Sequence, residues 1–336
     1  MIKNDIRVAF IGAGRMGVTH IKNLAGLAGV HVRVVADALL ANAERGQAIA
    51  RAERATTDIE AAITASDIDA VVISTPTNTH ASLIEKAARA QKAVWCEKPV
   101  AMTLAETQHV ANVVRAMGVS TQLGFMRRYD PGYAAAKRKI ESGELGRIEA
   151  FRALGRDTRL PPIEYLKTSG GIFLDMAVHD LDLARFLVGE VDEVAAWGAV
   201  LIDRRVSEAD DVDTGVAMLR FANGALGTIE TARRSEWGYD IRTEVAGAKG
   251  KLVMEGYQKT PLIHSHSGGF HGDHFELFPD RFEAAYRLEL VAFFDALRAG
   301  TQPMPDIFDA LETQRLALAV TKSWREDRVV KVREVT

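Results

Sequence analysis

The sequence predicts a two-part chain: an α/β domain built on a parallel sheet, then an α+β domain with a large, mainly antiparallel open sheet. Three observations carry this expectation. Up to about residue 124, short continuous apolar runs alternate with helix-periodic stretches. Each of those runs is apolar on both faces, which marks strands of a parallel sheet covered on two sides. Beyond residue 125, strand-like runs follow one another while helices stand apart, the pattern of an α+β unit. The expected division is 1–124 and 125–336, with a hinge near 122–128 and a ligand site in the cleft between the halves.

The elements follow in order. Residues 6–11 (IRVAFI) are short, continuous and β-branched, so they read as a buried strand. A glycine turn leads into a helix through Ile21, Leu24 and Leu27, and VHVRVVA at 30–36 makes the second strand. Helical patterns at 40–52 and 58–65 precede DAVVIS, 69–74, the third strand. A helix at 79–91 leads into KAVWCE, 92–97, then a helix at 103–117 and VSTQLG, 119–124. In the second half, a helix near 130–142 ends at Gly143 and Gly146, a strand follows at 148–156, and a helix at 171–188. Strands are expected at 191–201, 212–222, 225–234, 239–247 and 250–255, with Asn223-Gly224 as a hairpin turn. Helices at 281–299 and 306–325 close the chain.

Bulk composition narrows the function. Hydrophobic content of 47% and charged content of 26% are ordinary for a globular protein. A net charge of −3 gives no basic footprint for nucleic acid or an anionic membrane. The apolar run from Ile6 to Ile11 is too short for a signal core or a spanning helix. Cys96 is the sole cysteine, so no intrachain disulfide forms and a cytoplasmic enzyme is the expectation.

GAGRMG, residues 12–17, follows the first strand and opens the first helix with G-x-G-x-x-G spacing. Gly12 suits the tight turn, Gly14 the close approach of a pyrophosphate, and Gly17 helix–strand packing. With Arg15 and Met16 the turn lies at a helix N-terminus, whose free N–H groups attract phosphate. Asp37 ends the second strand, where a carboxylate bonds the ribose hydroxyls of NAD and repels a 2′-phosphate. Ala38, Leu39 and Leu40 bring no cation for that phosphate, so NAD is expected over NADP. STPTNTH, 74–80, leaves the third strand at the edge where such sheets bind ligands. Ser74, Thr75, Asn78 and His80 either contact the cofactor or serve the fold, Asn78 or Thr77 as a helix cap and His80 as an exposed residue.

WCEKP, 95–99, leaves a strand at that same edge. Pro99 biases Lys98 toward an extended conformation, which fixes where its ammonium points. Lys98 is either an electrostatic catalyst at the nicotinamide or half of a surface salt bridge with Glu97. In SGGIFLDMAVHDLD, 169–182, a helix would place Asp175, His179 and Asp182 on one polar stripe of an otherwise apolar surface. Buried charge demands partners or a wet cavity, so the stripe is either a structural network or the lining of an active site.

GAGRMG, STPTNTH, EKP and GGIFLDMAVHDLD, in this order, resemble the glucose–fructose oxidoreductase/inositol dehydrogenase/rhizopine-catabolism family over essentially the whole chain. WCEKP, GFMRRYD at 124–130, SGGIFLDMAVHDLD and GYDIRTEVAG at 238–247 look like its inositol 2-dehydrogenase branch. The resemblance implies an NAD cofactor held also through Glu97 and Lys98, and a catalytic set of Lys98, Asp175 and His179. It implies polyol contacts from Lys98, Arg127, Asp157, Asp175, His179 and Tyr239, and a tetrameric homo-oligomer. The chemistry agrees, since neutral imidazole is the base suited to alcohol oxidation near pH 7, with a carboxylate to orient it. Asp182 reads as structural. Gly155 stands where some members have histidine, and Trp237 where some have tyrosine, which leaves the preferred isomer or pyranose open.

His264, His266, His271 and His274 crowd the stretch 264–274, where glycines fix no ligand geometry. A mobile lid or subunit contact is expected there rather than a zinc site, and no metal is expected elsewhere. Two rival functions remain: an NAD-using glycosidase on the same fold, and a non-enzymatic NAD-binding regulator. The complete Lys–Asp–His set argues against the regulator.

Overall fold

The computed structural model describes residues 5–256 and 258–336. The chain forms two compact units, one of residues up to Met126 with Ala284–Glu312, the other of Arg127–Glu283 with Thr313–Thr336.

The first unit carries β1 (Ile6–Ile11), α1 (Arg15–Leu24), β2 (Val30–Ala36), α2 (Leu40–Ala50), β3 (Arg54–Thr56), α3 (Ile59–Thr64) and β4 (Ala70–Ile73). Then come α4 (His80–Arg89), β5 (Ala93–Cys96), α5 (Leu104–Met117) and β6 (Thr121–Leu123). All neighbouring strands are parallel, in the order β3-β2-β1-β4-β5-β6. This is the doubly wound dinucleotide-binding order, whose ligands sit outside the carboxyl ends of β1 and β4, where the strand order reverses. The expected strands and helices hold to within two or three residues at their ends. β3 was not legible, being three residues with only partial burial.

The second unit opens with α6 (Pro131–Glu141), capped by the Asp130 carboxylate on the Gly132 and Tyr133 amides. It continues through β7 (Ile148–Arg156), α7 (Ile163–Ser169), α8 (Ile172–Asp175), α9 (Val178–Leu187), β8 (Val191–Ala199), β9 (Thr214–Phe221) and β10 (Leu226–Ala232). β11 (Asp240–Gly247), β12 (Gly250–Glu255), β13 (Gln258–His266), β14 (Gly269–His274) and α10 (Phe278–Arg281) follow. Seven strands form one sheet, β12-β11-β7-β10-β9-β8-β15, in which only the β7–β10 pair is parallel. β15 is Val330–Lys331. Along β9 burial alternates strictly, with Ala217, Leu219 and Phe221 inward and Val216, Met218 and Arg220 outward, so one face of the sheet is covered and the other open. Asn223-Gly224 turns the chain between β9 and β10, Gly224 at φ 88°.

Two expectations need correction. The division 1–124 and 125–336 assigned every C-terminal helix to the second unit. Residues 284–312, most of α11 (Glu283–Ala299) and the start of α12 (Ile307–Glu326), instead belong to the first. Leu290, Phe293 and Phe294 bury themselves in the core formed by Val8, Phe10, Val72 and Trp95. The helix expected over 171–188 is broken. The Ile172 carbonyl accepts both the Met176 and the Ala177 amides, so the ladder slips by one residue and α9 restarts at Val178. Asp175 and His179 therefore sit on different helices.

Candidate active site

The glycine turn is built as its spacing requires. Gly12 takes φ 95°, and a β-carbon there would lie 2.5 Å from the Ser74 carbonyl oxygen. A β-carbon on Gly17 would sit 2.0 Å from the Gly12 oxygen, so helix and turn meet through bare backbone. Gly14 faces open space, with no heavy atom within 4 Å, and caps α1 without a side-chain bond. Asp37 ties this turn down, its carboxylate accepting from the Ala13 amide at 2.8 Å, the Leu39 amide at 2.9 Å and Asn42 Nδ2 at 3.2 Å. A carboxylate offers about four acceptor positions, so capacity remains for a ribose hydroxyl. Arg45, not singled out by sequence, donates to the Ala13 oxygen at 3.0 Å and so brings a cation to this turn. Arg15 is exposed and Met16 half-buried in the first turn of α1.

Ser74 is buried, and its hydroxyl has no partner among the described residues. The Thr75 hydroxyl meets that of Thr79 at 2.6 Å, and Asn78 is exposed on a short 3-10 turn. Neither Asn78 nor Thr77 caps the helix; Thr79 holds that position without a side-chain bond. His80 is neither exposed nor open to a cofactor. It is 1% exposed, and its Nδ1 and Nε2 lie 2.7 Å from the Pro99 oxygen and 2.8 Å from the Thr75 oxygen. Its role is to clip the segment after β4 to the segment after β5, which commits both ring nitrogens to backbone.

Glu97 turns inward. Its Oε1 lies 2.7 Å from Nε2 of the fully buried His20 on α1, and its Oε2 accepts the Lys98 amide at 3.2 Å. Burial alone would raise this carboxyl, but the His20 hydrogen bond and the nearby positive charge of Lys98 outweigh it and hold the acid below its ordinary value. The carboxylate is thus engaged by the fold, which anchors the backbone that carries Lys98. Lys98 itself is half-buried and precedes a cis peptide bond to Pro99.

In the second unit, the Asp175 carboxylate is held at both oxygens. The Tyr165 hydroxyl donates to Oδ1 at 2.8 Å, and Arg233 Nη1 to Oδ2 at 3.0 Å. His179 stands half-buried in the first turn of α9. Asp182 is structural, chelated by Arg128 at 2.6 and 2.8 Å, with Thr313 at 3.3 Å.

Asp180, which sequence reasoning passed over, is the most deeply committed acid of the segment. It is fully buried and accepts from Arg127 Nη1 at 2.6 Å. Burial raises the Asp180 carboxyl, and the Arg127 charge pulls against that rise. Arg127 is itself 3% exposed, and burial pushes the Tyr239 phenol well above its usual value, with the Arg127 charge pulling against that rise. Asp157 lies close enough to raise the phenols of Tyr239 and Tyr165 by its charge. Asp180 occupies one nitrogen of the Arg127 fork. Gly155 now has a reason: a β-carbon there would lie 2.9 Å from Asp180 Oδ2. Trp237 donates to Asp240 Oδ2 at 2.8 Å and lies under the Arg156 guanidinium.

The histidine-rich stretch lies in the β13–β14 hairpin. His266 and His271 stack at 4.5 Å with a 12° interplanar angle, faces together rather than lone pairs converging. Among the described residues no set of three or more His, Cys, Asp or Glu is arranged to hold a metal ion.

Two family models match the chain: the oxidoreductase family's NAD-binding Rossmann fold over residues 6–125, and its C-terminal alpha/beta domain over 137–332. The chain belongs to that family. Within this glucose–fructose oxidoreductase/inositol dehydrogenase/rhizopine-catabolism family, it is 36% identical over 332 residues to the myo-inositol 2-dehydrogenase of Thermotoga maritima, covering 98% of this chain and 99% of that protein. It is 37% identical over 338 residues to the scyllo-inositol 2-dehydrogenase (NAD(+)) of Bacillus subtilis, covering 98% and 97%. The structure of scyllo-inositol dehydrogenase from Lactobacillus casei with bound NAD(H) and scyllo-inositol superposes with a TM-score of 0.91 at 28% identity, covering 98% and 99%. An NAD fits the groups observed here: the open side of Gly14, the uncapped N-terminus of α1, the Asp37 carboxylate and the unpartnered Ser74 hydroxyl.

Proposed function

We propose that this protein oxidises one secondary ring hydroxyl of an inositol, or of a pyranose of similar shape, to the ketone. The observation that carries the reading is the joint presence of the Gly12–Gly17 turn with Asp37 and of Lys98, Asp175 and His179 in one chain similar end to end to inositol dehydrogenases. NAD, when bound, supplies the hydride acceptor; the rest falls to side chains. His179 takes the hydroxyl proton as the carbon gives up hydride. Asp175, anchored by Arg233 and Tyr165, stabilises the imidazolium that forms. The Lys98 ammonium stabilises charge developing on the oxygen. Arg127, Asp157 and Tyr239 supply donors and acceptors for the remaining hydroxyls, and Arg15, Met16, Thr75, Asn78 and the Glu97–Lys98 backbone line the cofactor. Near-equal identity to a myo-inositol 2-dehydrogenase and a scyllo-inositol 2-dehydrogenase leaves both isomers as candidate substrates.

The open face of the large sheet presents Trp197, Met218, Leu226 and Val253 to solvent, an apolar surface suited to a second copy of the chain. A homotetramer is the proposed assembly. The lone, buried Cys96 suits a cytoplasmic location, and among the described residues no helix is long and apolar enough to cross a membrane.

The test is a panel of inositols and hexoses with NAD at pH of about 8–9, where base catalysis by imidazole is fully available. Rising NADH absorbance with an inositol is expected. No NADH with any inositol or hexose contradicts the reading.

A further inference from the structure

We propose that Arg233 is a positioning residue, which with Tyr165 clamps Asp175 in the one orientation in which it serves catalysis; this rests on the catalytic role of Asp175 given above. Arg233 follows the last residue of β10 and is 1% exposed. Its amide is fixed to the Asp213 oxygen at 2.9 Å, so the base of the side chain is anchored. Nη1 donates to Asp175 Oδ2 at 3.0 Å, and Nη2 lies 3.5 Å from Asp211 Oδ2. The other Asp211 oxygen accepts the Ile172 amide at 3.0 Å, at the start of α8. One buried guanidinium therefore joins the two ends of α8: its first amide through Asp211, and its last side chain, Asp175, directly.

The break after α8 explains why such a clamp is needed. α8 has four residues, and the slip at Ile172 means that no continuous helix carries Asp175 to His179. Backbone hydrogen bonds of one continuous helix do not fix the Asp175 carboxylate relative to α9, so side chains hold it. Tyr165, from α7, completes the hold on Oδ1 at 2.8 Å. Both oxygens are fixed, while about one-seventh of the side chain stays accessible, 15%. A group used only to neutralise charge needs one contact; this one is gripped from two elements and keeps an open edge.

The test is a double-mutant cycle on kcat with NAD and the best inositol, using Asp175→Asn, Arg233→Lys and both together. Arg233→Lys keeps the charge but cannot span Asp175 and Asp211 at once. A misplaced catalytic group costs about 10–100-fold, so Arg233→Lys is expected to lower kcat by that order with NAD affinity unchanged. In the Asp175→Asn background the same change should have less than about a twofold further effect, since residues acting as a unit are not additive. Effects that multiply overturn the proposal and leave the role of Asp175 standing. An unchanged kcat in Asp175→Asn alone overturns both. Should Arg233→Lys not fold, Tyr165→Phe, which removes one hydroxyl from a partly exposed ring, enters the same cycle with the same two outcomes.

Discussion

Adding a single methyl group at position 155 tests whether the buried acid pair is as rigid as its contacts imply. In Gly155→Ala the new β-carbon would stand 2.9 Å from Asp180 Oδ2 and 3.6 Å from Ile241 Cδ1. The Ile241 contact is ordinary; the carboxylate contact is about half an ångström too short, so one partner must give way. Asp180 cannot give cheaply, because it is fully buried and held at 2.6 Å by Arg127. Overpacking of this kind costs about 1–3 kcal/mol, and full rupture of a buried ion pair about 3–5 kcal/mol. The expected loss is near the lower range, read as a fall in the denaturant midpoint at constant slope in equilibrium urea unfolding. Asp180 holds the Arg127 guanidinium, which is proposed to contact the polyol, so the Michaelis constant for the polyol should rise as well. Gly14→Ala is the control: its β-carbon meets nothing within 4 Å, so stability should change by less than about 0.5 kcal/mol while NAD affinity falls. A Gly155→Ala protein as stable as the parent, with unchanged kinetics, would refute the pinned Asp180.

Two further expectations follow from the first unit. Asp37→Ser removes the anion that excludes a 2′-phosphate and leaves Arg45 beside the turn, so NADP should gain relative to NAD by about tenfold or more, measured as the ratio of kcat/KM values; an unchanged ratio counts against Asp37 as the ribose ligand. Glu289, fully buried with neither carboxyl oxygen partnered among the described residues, is held far above its ordinary value by burial and then by the Glu97 charge. The folded chain therefore keeps a proton that the unfolded chain releases, and stability falls as pH rises above the ordinary carboxylate range toward the folded value. Glu289→Gln keeps the shape without that proton, so thermal unfolding of the two proteins should differ little near pH 4 and favour the variant at pH 8. A difference independent of pH would show that folding does not shift Glu289.

The fold was legible where burial leaves a local imprint. Buried parallel strands are continuous apolar runs, and 6–11 and 30–36 match β1 and β2 end for end; the alternating run 148–156 matches β7 as closely. The break at Ile172 left no trace, because the apolar pattern of GGIFLDMAV is the same for a straight helix and a slipped one. α7 was hidden behind Pro161-Pro162, and the β13–β14 hairpin is polar and glycine-rich and exposed along its first strand. The return of 284–312 to the first unit rests on contacts hundreds of residues apart in sequence, which no local periodicity encodes. In the site, the glycine turn and Asp37 were readable from spacing. The pairing of Arg127 with Asp180 and Arg128 with Asp182 was not, although adjacent arginines and two aspartates in apolar surroundings already require partners. His80 was misjudged for the same reason: its acceptors are carbonyls, and carbonyls have no signature in a sequence.

The most direct test of the central claim follows the hydrogen itself. Inositol deuterated at the carbon to be oxidised is turned over with NAD by the parent protein and by His179→Ala, and the nicotinamide product is examined by mass spectrometry. The account predicts stoichiometric deuterium in the reduced nicotinamide from the parent, and a rate at least about 100-fold lower in His179→Ala with NAD affinity retained. Deuterium that stays on the sugar ring or washes into water, or a His179→Ala protein that turns over like the parent, would contradict it.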